Sequence, residues 1–247
     1  MRSILSMLEQ AVALAQGKGY GSNSVHREVQ AAASLLRKEA RLVMDVGGNK
    51  GTYVQAVRTR FPDAEIHVFE PAQSNLEILR NAFARDSTVT IQPFALGNQD
   101  GEATLHADVP GSGLGSLSNR RVEHHGIDFE HQEAIAIRRF EAYWRQSLQS
   151  RAIDLAKLDV EGHELAVLHG FGAAIAQTAV IQFEFGGCNI DTRTYFQDFW
   201  YFFREHGFDV YRIAPLTLQR IARYSEIEES FMTTNFLAVN RAAASHN

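Results

Sequence analysis

The sequence has a single cysteine, Cys188, among its 247 residues. One cysteine excludes an intrachain disulfide and a zinc site made of several cysteines. It is compatible with a reducing compartment, and we expect a cytoplasmic protein. The first ten residues include an acid, Glu9, and no long apolar run, so they do not match a secretory signal peptide.

Long apolar runs and an excess of positive charge are also absent. No stretch approaches the roughly 20 apolar residues of a membrane-spanning helix, so we expect no membrane span. The formal net charge of -5 argues against nucleic acid as a partner, because such proteins usually carry a basic surface. Apolar residues make up 45% of the chain and charged residues 21%, which is typical of one globular domain with a sizeable core.

Two helical segments precede the first predicted strand. Apolar residues recur at helical spacing over residues 4–15, and glycines then interrupt the pattern. Ser24 could cap a second helix over residues 25–36. We therefore assign residues 1–40 to an N-terminal helical extension, which packs on the domain, covers its ligand mouth or forms a homodimer interface.

Strands then alternate with helices over residues 41–240, which predicts a mostly parallel α/β sheet with helices on both faces. The predicted strands are Leu42–Val46, Ile66–Phe69, Val89–Ile91, Ile153–Val160, Val180–Phe185, Phe208–Ile213 and Asn235–Val239. Residues 98–136 interrupt this rhythm and are rich in glycine, serine and histidine. We expect a variable insertion there that forms a substrate lid, with short strands at Glu102–His106 and Ala134–Ile137. Residues 241–247 are predicted to be a disordered tail.

A glycine-rich turn, Asp45-Val-Gly-Gly-Asn-Lys-Gly51, follows the first strand. Ligands of open parallel sheets bind beyond the carboxyl ends of the strands, close to this turn. Gly47 and Gly48 let the backbone approach a ligand closely. Glu70 ends the second strand, where a carboxylate can accept both ribose hydroxyls of an adenosine. The sequence therefore predicts a ligand that contains adenosine.

The spacing of the glycines distinguishes between adenosine ligands. A dinucleotide fingerprint is G-x-G-x-x-G, whereas this turn reads G-G-x-x-G. Asp45 would repel a pyrophosphate and would suit the ammonium of an amino-acid moiety. After the third strand, Phe94, Ala95 and Leu96 could wall an adenine ring, although core packing explains them equally well.

A second motif, Lys157-Leu-Asp-Val-Glu-Gly-His-Glu164, ends the fourth strand. Asp159 or His163 could accept a proton from a substrate hydroxyl. Alternatively, Glu161 or Glu164 could simply favour the start of the next helix. Asp159, Glu161 and Glu184 together could also hold a divalent cation such as Mg²⁺, a reading that the sequence leaves open.

The adjacent histidines His124 and His125 lie in the insertion. A polar loop usually exposes such residues to solvent. A closing loop could also bring one of them to the substrate as a base, and both readings stay open.

The order of these motifs resembles the FkbM family of S-adenosylmethionine-dependent methyltransferases over roughly residues 41–240. The resemblance implies a class I, Rossmann-like fold with a seven-stranded sheet whose last strand is antiparallel. It implies methyl transfer, mostly to hydroxyl oxygens of sugars, glycans or polyketide-like natural products, with S-adenosylhomocysteine as the product. The motifs that carry the resemblance are Asp45–Gly51, Phe69-Glu-Pro71, Ala95-Leu-Gly97, Lys157–Glu164 with Leu168 and Gly170, and Glu184.

By position, the resemblance assigns Glu70 to the ribose and the turn to the methionine end of the cofactor. The residues at that end would be Asp45, Gly47, Asn49 and Gly51. Gly48 stands where the family often has alanine, and Arg139-Phe-Glu141 stands where a Thr-Leu-Asp run is common. The second departure places the longer side chain of Glu141 where the family commonly has an aspartate, so a contact made by that aspartate does not carry over to this chain.

Three alternatives remain at this stage. An NAD-dependent oxidoreductase would bind nicotinamide, against which the glycine spacing and Asp45 argue. A non-catalytic domain would bind the cofactor or a partner without turnover. An RNA methyltransferase is disfavoured by the net charge and by the lack of an added basic domain.

Overall fold

The computed structural model describes residues 4–20 and 25–244, so Ser24 and its predicted capping role lie outside the described residues. The strands are β1 Leu42–Val46, β2 Glu65–Phe69, β3 Val89–Gln92, β4 Ala95–Leu96, β5 Gly101–Ala107, β6 His131–Arg138, β7 Ile153–Leu158, β8 Thr178–Phe185, β9 Phe208–Ile213, β10 Leu218–Arg220 and β11 Thr234–Asn240. The helices are α1 Ile4–Ala15, α2 Val25–Leu35, α3 Thr52–Arg60, α4 Gln73–Ala82, α5 Phe140–Gln146, α6 Glu164–Phe171, α7 Cys188–Thr192, α8 Phe196–Glu205 and α9 Arg241–Ala244.

The main sheet confirms the predicted α/β class. Its strand order is β10-β9-β11-β8-β7-β1-β2-β3. The neighbouring pairs β3–β2, β2–β1, β1–β7 and β7–β8 are parallel, and β11 is antiparallel to both of its neighbours. The antiparallel last strand agrees with the sequence-based expectation. The carboxyl ends of β1, β2, β7 and β8 therefore meet at one edge, where a ligand site is expected.

The predicted number of seven strands is wrong by one. Among the described residues the main sheet has eight strands, because β10 pairs with β9 in an antiparallel hairpin. The backbone N–H of Ala214 donates to the carbonyl of Thr217 at 3.0 Å and closes the turn. β10 has only three residues and lies at the sheet edge, so it lacks the alternating apolar pattern by which a strand is recognised.

The two N-terminal helices differ in their burial. α1 buries none of its residues, and its apolar side chains are exposed. α2 buries Val29 and Ala32 against core residues of β1 and α3, including Val43 and Val54. α2 thus forms part of the domain's core. Among the described residues, no helix is long and apolar enough to cross a membrane.

The insertion forms its own small sheet with the order β4-β6-β5. β5 and β6 pair antiparallel over their full lengths, so the two strands predicted there exist and are longer than expected. The region after β11 also differs from expectation, because α9 occupies Arg241–Ala244 where a disordered tail is predicted. α5 and α7 are additional elements, each too short to show a helical period.

Gly170 in α6 lies against the backbone of the strand connection after β4. A Cβ at this position would lie 1.9 Å from the carbonyl oxygen of Gly97. Alanine normally favours a helix interior by about 1 kcal/mol over glycine. We expect the reverse here, because the clash must move two backbones: Gly170→Ala should destabilise the fold by about 1–3 kcal/mol in urea unfolding.

Gly101→Ala is the matched control for this prediction, because a Cβ there meets nothing within 4 Å. Its free energy of unfolding should stay within about 0.5 kcal/mol of the wild type, as is usual for surface substitutions. Stabilisation by Gly170→Ala would show that the two elements do not touch as described.

Candidate functional site

A cavity of ≈ 310 Å³ opens at the carboxyl ends of the central strands, a size in the range of small-molecule sites. The part beside β1 and β2 is lined by Gly47, Gly48, Asn49, Phe69, Glu70, Pro71, Ala72, Asn75, Ala95 and Leu96. The part beside β7 and β8 is lined by Val25, Glu28, Tyr53, Lys157, Asp159, Val160, Glu161, His163, Glu184 and Asn235. The insertion contributes Leu105, Ser112, Gly113, Gly115 and Leu117. One cavity therefore joins both motifs that the sequence singles out.

The glycines of the turn after β1 have no room for side chains. Gly47 has a φ of +83°, and a Cβ there would lie 1.9 Å from the carbonyl oxygen of Asp159. A Cβ at Gly48 would lie 2.1 Å from Cγ1 of Val68. The alanine common in related sequences at this position would therefore require Val68 to move. Both glycines expose their backbone to the cavity.

Gly51 has a different role from the one predicted. It also has a positive φ, of +84°, but a Cβ there would meet the ring of Phe83 at 2.6 Å. It lies at the N-cap of α3 and does not line the cavity. Its small size serves helix packing, because the turn must enter α3 directly against the neighbouring helix.

Glu70 organises the part of the cavity beside β2. One carboxylate oxygen accepts a hydrogen bond from the backbone N–H of Asn49, and the other accepts one from Ala72, each at 2.8 Å. Burial raises the pKa of Glu70 to about 7, against the lowering effect of these bonds. A carboxylate offers about four lone-pair positions, so both oxygens can accept further bonds from ligand hydroxyls.

Two buried amide oxygens beside Glu70 have no protein partner. Among the described residues, Asn49 Oδ1 and Asn75 Oδ1 accept no hydrogen bond, although both residues line the cavity. Buried polar atoms are rarely left unsatisfied. These oxygens are therefore positions where a ligand that donates hydrogen bonds would be stabilised.

Asp45 does not face the cavity, and the ammonium beside it belongs to the protein. Its side chain is fully buried beneath the turn, 3.6 Å from Nζ of Lys157 on the neighbouring strand. Burial raises the pKa of Asp45 to about 6, against the lowering effect of Lys157. Lys157 also pairs with Asp159 at 3.1 Å. The predicted contact between Asp45 and the cofactor is thus replaced by an internal ion pair.

The loop after β7 carries the candidate proton acceptors. β7 ends at Leu158, so Asp159 stands in the loop and not at the end of the strand. Asp159 and His163 both line the cavity. His163 Nε2 lies 3.0 Å from the hydroxyl of Ser118, and burial lowers the pKa of His163 below its usual value of 6.5. Its imidazole is therefore neutral at pH 7 and able to take a proton.

The carboxylate of Glu164 stabilises the loop itself. It accepts hydrogen bonds from the backbone N–H groups of Val160 at 2.9 Å and Gly162 at 3.2 Å. This is the structural role that the sequence leaves open for an acid at the start of a helix. Glu161 behaves differently, because it lines the cavity and has a positive φ of 52°.

The insertion is fastened over the cavity through Glu161. The hydroxyl of Ser116 donates to the backbone carbonyl of Glu161 at 2.8 Å, and the Arg120 guanidinium donates to its carboxylate at 2.6 Å. Arg120 also lies 3.6 Å from Asp191. These contacts hold the glycine- and serine-rich loop above the turn that contains Asn49, as a lid would be held.

His124 and His125 lie outside this arrangement. They form an exposed 3₁₀ turn, with ring centroids 4.1 Å apart, and neither lines the cavity. The geometry gives no support to their predicted role as bases. Both side chains are exposed to solvent.

The apolar residues after β3 divide between cavity and core. Pro71, Ala95 and Leu96 line the cavity, whereas Phe94 does not. Phe94 packs against Phe69, with ring centroids 5.7 Å apart. Phe69, at the end of β2, also reaches the cavity, although its apolar strand context gives no sign of this.

The predicted cation ligands come together only in part. Ligand atoms of Glu161, Glu184 and Cys188 lie within 4.8 Å of one another, whereas Asp159 pairs with Lys157. The Arg120 guanidinium already pairs with the carboxyl group of Glu161 at 2.6 Å. The role of a divalent metal stays a prediction.

Several polar residues of the cavity were not predicted from the sequence. Among them are Glu28, Tyr53, Lys157 and Asn235. Lys157 offered one signal, because a lysine inside an otherwise apolar strand needs a buried partner. The other three lie on α2, α3 and β11 and reach the cavity only through the tertiary fold.

Comparisons with known proteins agree with this geometry. The family model described as "Methyltransferase FkbM domain" matches residues 45–210. The chain is 24% identical over 194 residues to the 2-O-methyltransferase NoeI of Sinorhizobium fredii, covering 74% of this chain and 78% of that protein. It is 22% identical over 142 residues to Methyltransferase 1 of Beauveria bassiana, covering 52% of this chain and 57% of that protein.

A solved structure shows the same fold. The methyltransferase FkbM from Methylobacillus flagellatus aligns with a TM-score of 0.50 and 14% sequence identity, over 95% of this chain and 59% of that one. The chain thus spans less than two thirds of that protein's length. With a family model matched over most of the domain, and with both family motifs lining one cavity, the chain belongs to the FkbM family of methyltransferases.

Proposed function

We propose that this methyltransferase uses S-adenosylmethionine to methylate a hydroxyl oxygen of a sugar, glycan or polyketide-like acceptor. The observation that carries the proposal is the single cavity that contains both Glu70 and His163. Glu70 suits an adenosine, and a neutral imidazole suits the removal of a hydroxyl proton. The name of the relative NoeI, a 2-O-methyltransferase, supports oxygen as the methylated atom.

The residues beside β1 and β2 fit the cofactor that the family implies. Glu70 can accept from ribose hydroxyls, and the unpartnered oxygens of Asn49 and Asn75 can accept from the amino groups of the ligand. Gly47 and Gly48 let the turn pack closely against Asp159 and Val68 and present bare backbone to the cavity. When bound, the cofactor supplies an electrophilic methyl group.

Proton transfer is the task of the loop after β7. His163 takes the acceptor's hydroxyl proton on a ring nitrogen, which makes the oxygen more nucleophilic. Lys157 holds Asp159 at 3.1 Å, so Asp159 serves as a fixed acceptor that orients the hydroxyl. The lid held by Arg120 excludes water while the reactants are positioned.

A screen with radiolabelled methyl donor tests the proposal. Neutral sugars, glycans and hydroxylated polyketides should yield labelled methyl ethers together with S-adenosylhomocysteine. Amines, thiols and activated carbon acids serve as the comparison set. Labelling of that set alone would refute O-methylation, and cofactor binding without label transfer to any class would indicate a non-catalytic domain.

A further inference from the structure

The cavity has a polar end, formed by residues of α2, α3, β8 and β11, that the cofactor motifs do not explain. Its centre is the buried side chain of Gln182 on β8. The hydroxyl of Tyr53 donates to Gln182 Oε1 at 2.9 Å. Gln182 Nε2 donates to the carboxylate of Glu28 at 2.7 Å and to Asn235 Oδ1 at 3.3 Å. Both the oxygen and the nitrogen of the Gln182 amide are therefore hydrogen-bonded, which fixes its orientation.

This network determines how Asn235 is oriented. Because its Oδ1 accepts from Gln182, its amide nitrogen must point elsewhere. Among the described residues, no acceptor for that nitrogen is found, and Asn235 lines the cavity. The network thus presents an amide donor to whatever fills this end.

A carboxylate acceptor stands directly beside this donor. Glu184 is the partner of Asn235 across the β8–β11 pair, and it also lines the cavity. In the described part of the chain its carboxyl group makes no hydrogen bond to another side chain, although ligand atoms of Glu161 and Cys188 lie within 4.8 Å of it. Burial and the neighbouring acids raise the pKa of Glu184 well above 4.5, so its carboxyl group can donate as well as accept. Glu28 on α2 provides a second carboxylate at the same end.

A donor between carboxylate acceptors matches the chemistry of neighbouring hydroxyl groups, each of which both donates and accepts. A phosphate or carboxylate group would be disfavoured beside the carboxylate of Glu28. An apolar aromatic ring would leave the amide nitrogen of Asn235 and the carboxyl group of Glu184 without a partner at this end, which is costly.

We propose that Asn235, Glu184 and Glu28 form the acceptor subsite. They bind an uncharged sugar ring through the hydroxyls next to the one that is methylated, and this inference rests on the proposed function. α2 of the N-terminal segment thereby becomes part of the specificity pocket. The subsite selects neutral sugars over uronic acids, sugar phosphates and simple phenols.

Asn235→Asp tests the subsite, because it keeps the shape and the oxygen that bonds Gln182 but removes the amide donor. We expect the KM for a neutral hexose glycoside to rise about tenfold or more, as when a site loses a hydrogen bond to a substrate hydroxyl. The kcat and the Kd for S-adenosylmethionine should change less than about threefold. Asn235→Ser, which adds no charge, should also raise the KM.

Asn240→Asp is the matched control on the same strand. Asn240 lies at the opposite end of β11 and donates to the carbonyls of Ala176 and Thr178. Its replacement should lower the melting temperature without moving the KM. An unchanged KM in both Asn235 variants, or a wild-type preference for uronic acids or phenols, would overturn the subsite.

A binding measurement separates this inference from the proposed function. With S-adenosylhomocysteine present, saturation-transfer NMR should detect methyl hexosides bound to the wild type and much less to Asn235→Asp. Binding without turnover would leave the subsite standing and contradict O-methylation. Methylation of other hydroxyl compounds without any sugar binding would support O-methylation and overturn the sugar subsite.

Discussion

Replacing Glu70 by glutamine should weaken the binding of S-adenosylmethionine about ten- to a hundredfold. Hydrogen bonds to a charged acceptor contribute about 1.5–3 kcal/mol each, and an amide keeps only one oxygen. That oxygen can still accept from Asn49 or Ala72, so the fold should survive the change. Isothermal titration on the folded variant measures the loss.

The affinity should also depend on pH through Glu70. Its pKa is raised to about 7 by burial, so the carboxyl is mostly protonated at pH 6 and mostly ionised at pH 8. We expect the wild-type protein to bind the cofactor more tightly as pH rises from 6 to 8. This dependence should be absent from Glu70→Gln.

The stability of the free protein should move in the opposite direction. A carboxyl whose folded pKa lies above its unfolded value of 4.5 contributes stability at low pH, and that contribution is lost as pH rises through about 7. The opposite signs separate a binding effect from an unfolding effect. They also show that burying Glu70 costs stability that a bound ligand offsets.

Glu77→Gln is the matched control for this prediction. Glu77 lies on the exposed face of α4, so its replacement changes the net charge equally without touching the cavity. Its affinity for the cofactor should equal that of the wild type. Equal affinity in Glu70→Gln would mean that Glu70 serves only to hold the turn and the start of α4.

The lining of the cavity beside β1 and β2 could be predicted from the sequence because its determinants are local. The turn Gly47–Gly48 and the acid Glu70 each follow a strand directly, and parallel strands end at a common edge. Asp45 was misjudged for a reason the sequence did not show. The register of β1 and β7 places Lys157 beside it, and this buried cation occupies its carboxylate.

The polar lining formed by Glu28, Tyr53 and Asn235 could not be predicted, because this part of the cavity is assembled from distant segments. Glu28 and Gln182 are 154 positions apart in the sequence and meet through a single hydrogen bond. No periodic pattern or short motif marks either residue. The lid contacts of Arg120 depend in the same way on how the insertion folds back, which also removes His124 and His125 from the site.

His163→Gln should lower turnover about a hundred- to ten-thousandfold, the usual contribution of a general base. Glutamine keeps a polar side chain that can bond Ser118 but cannot take a proton at neutral pH. Cofactor affinity should stay within about threefold of the wild type, because His163 lies across the cavity from Glu70. Single-turnover methyl transfer, with titration of the cofactor, measures both effects.

The pH profile distinguishes a base from a residue that only positions the acceptor. A base must be neutral, and burial lowers the pKa of His163 below 6.5. The kcat should therefore be constant near pH 7 and decline only at more acidic pH. The residual kcat of His163→Gln should not show this decline at acidic pH.

Two further variants test whether His163 or Asp159 is the base. His169 lies on the exposed face of α6, the helix that begins directly after His163. His169→Gln should therefore leave the rate unchanged. Asp159→Asn should lower kcat less than His163→Gln does, because Lys157 already engages its carboxylate. If His163→Gln kept full turnover while Asp159→Asn lost it, Asp159 would be the base. The ion pair with Lys157 would then have to open before each proton transfer, which makes His163 the simpler acceptor for the proton.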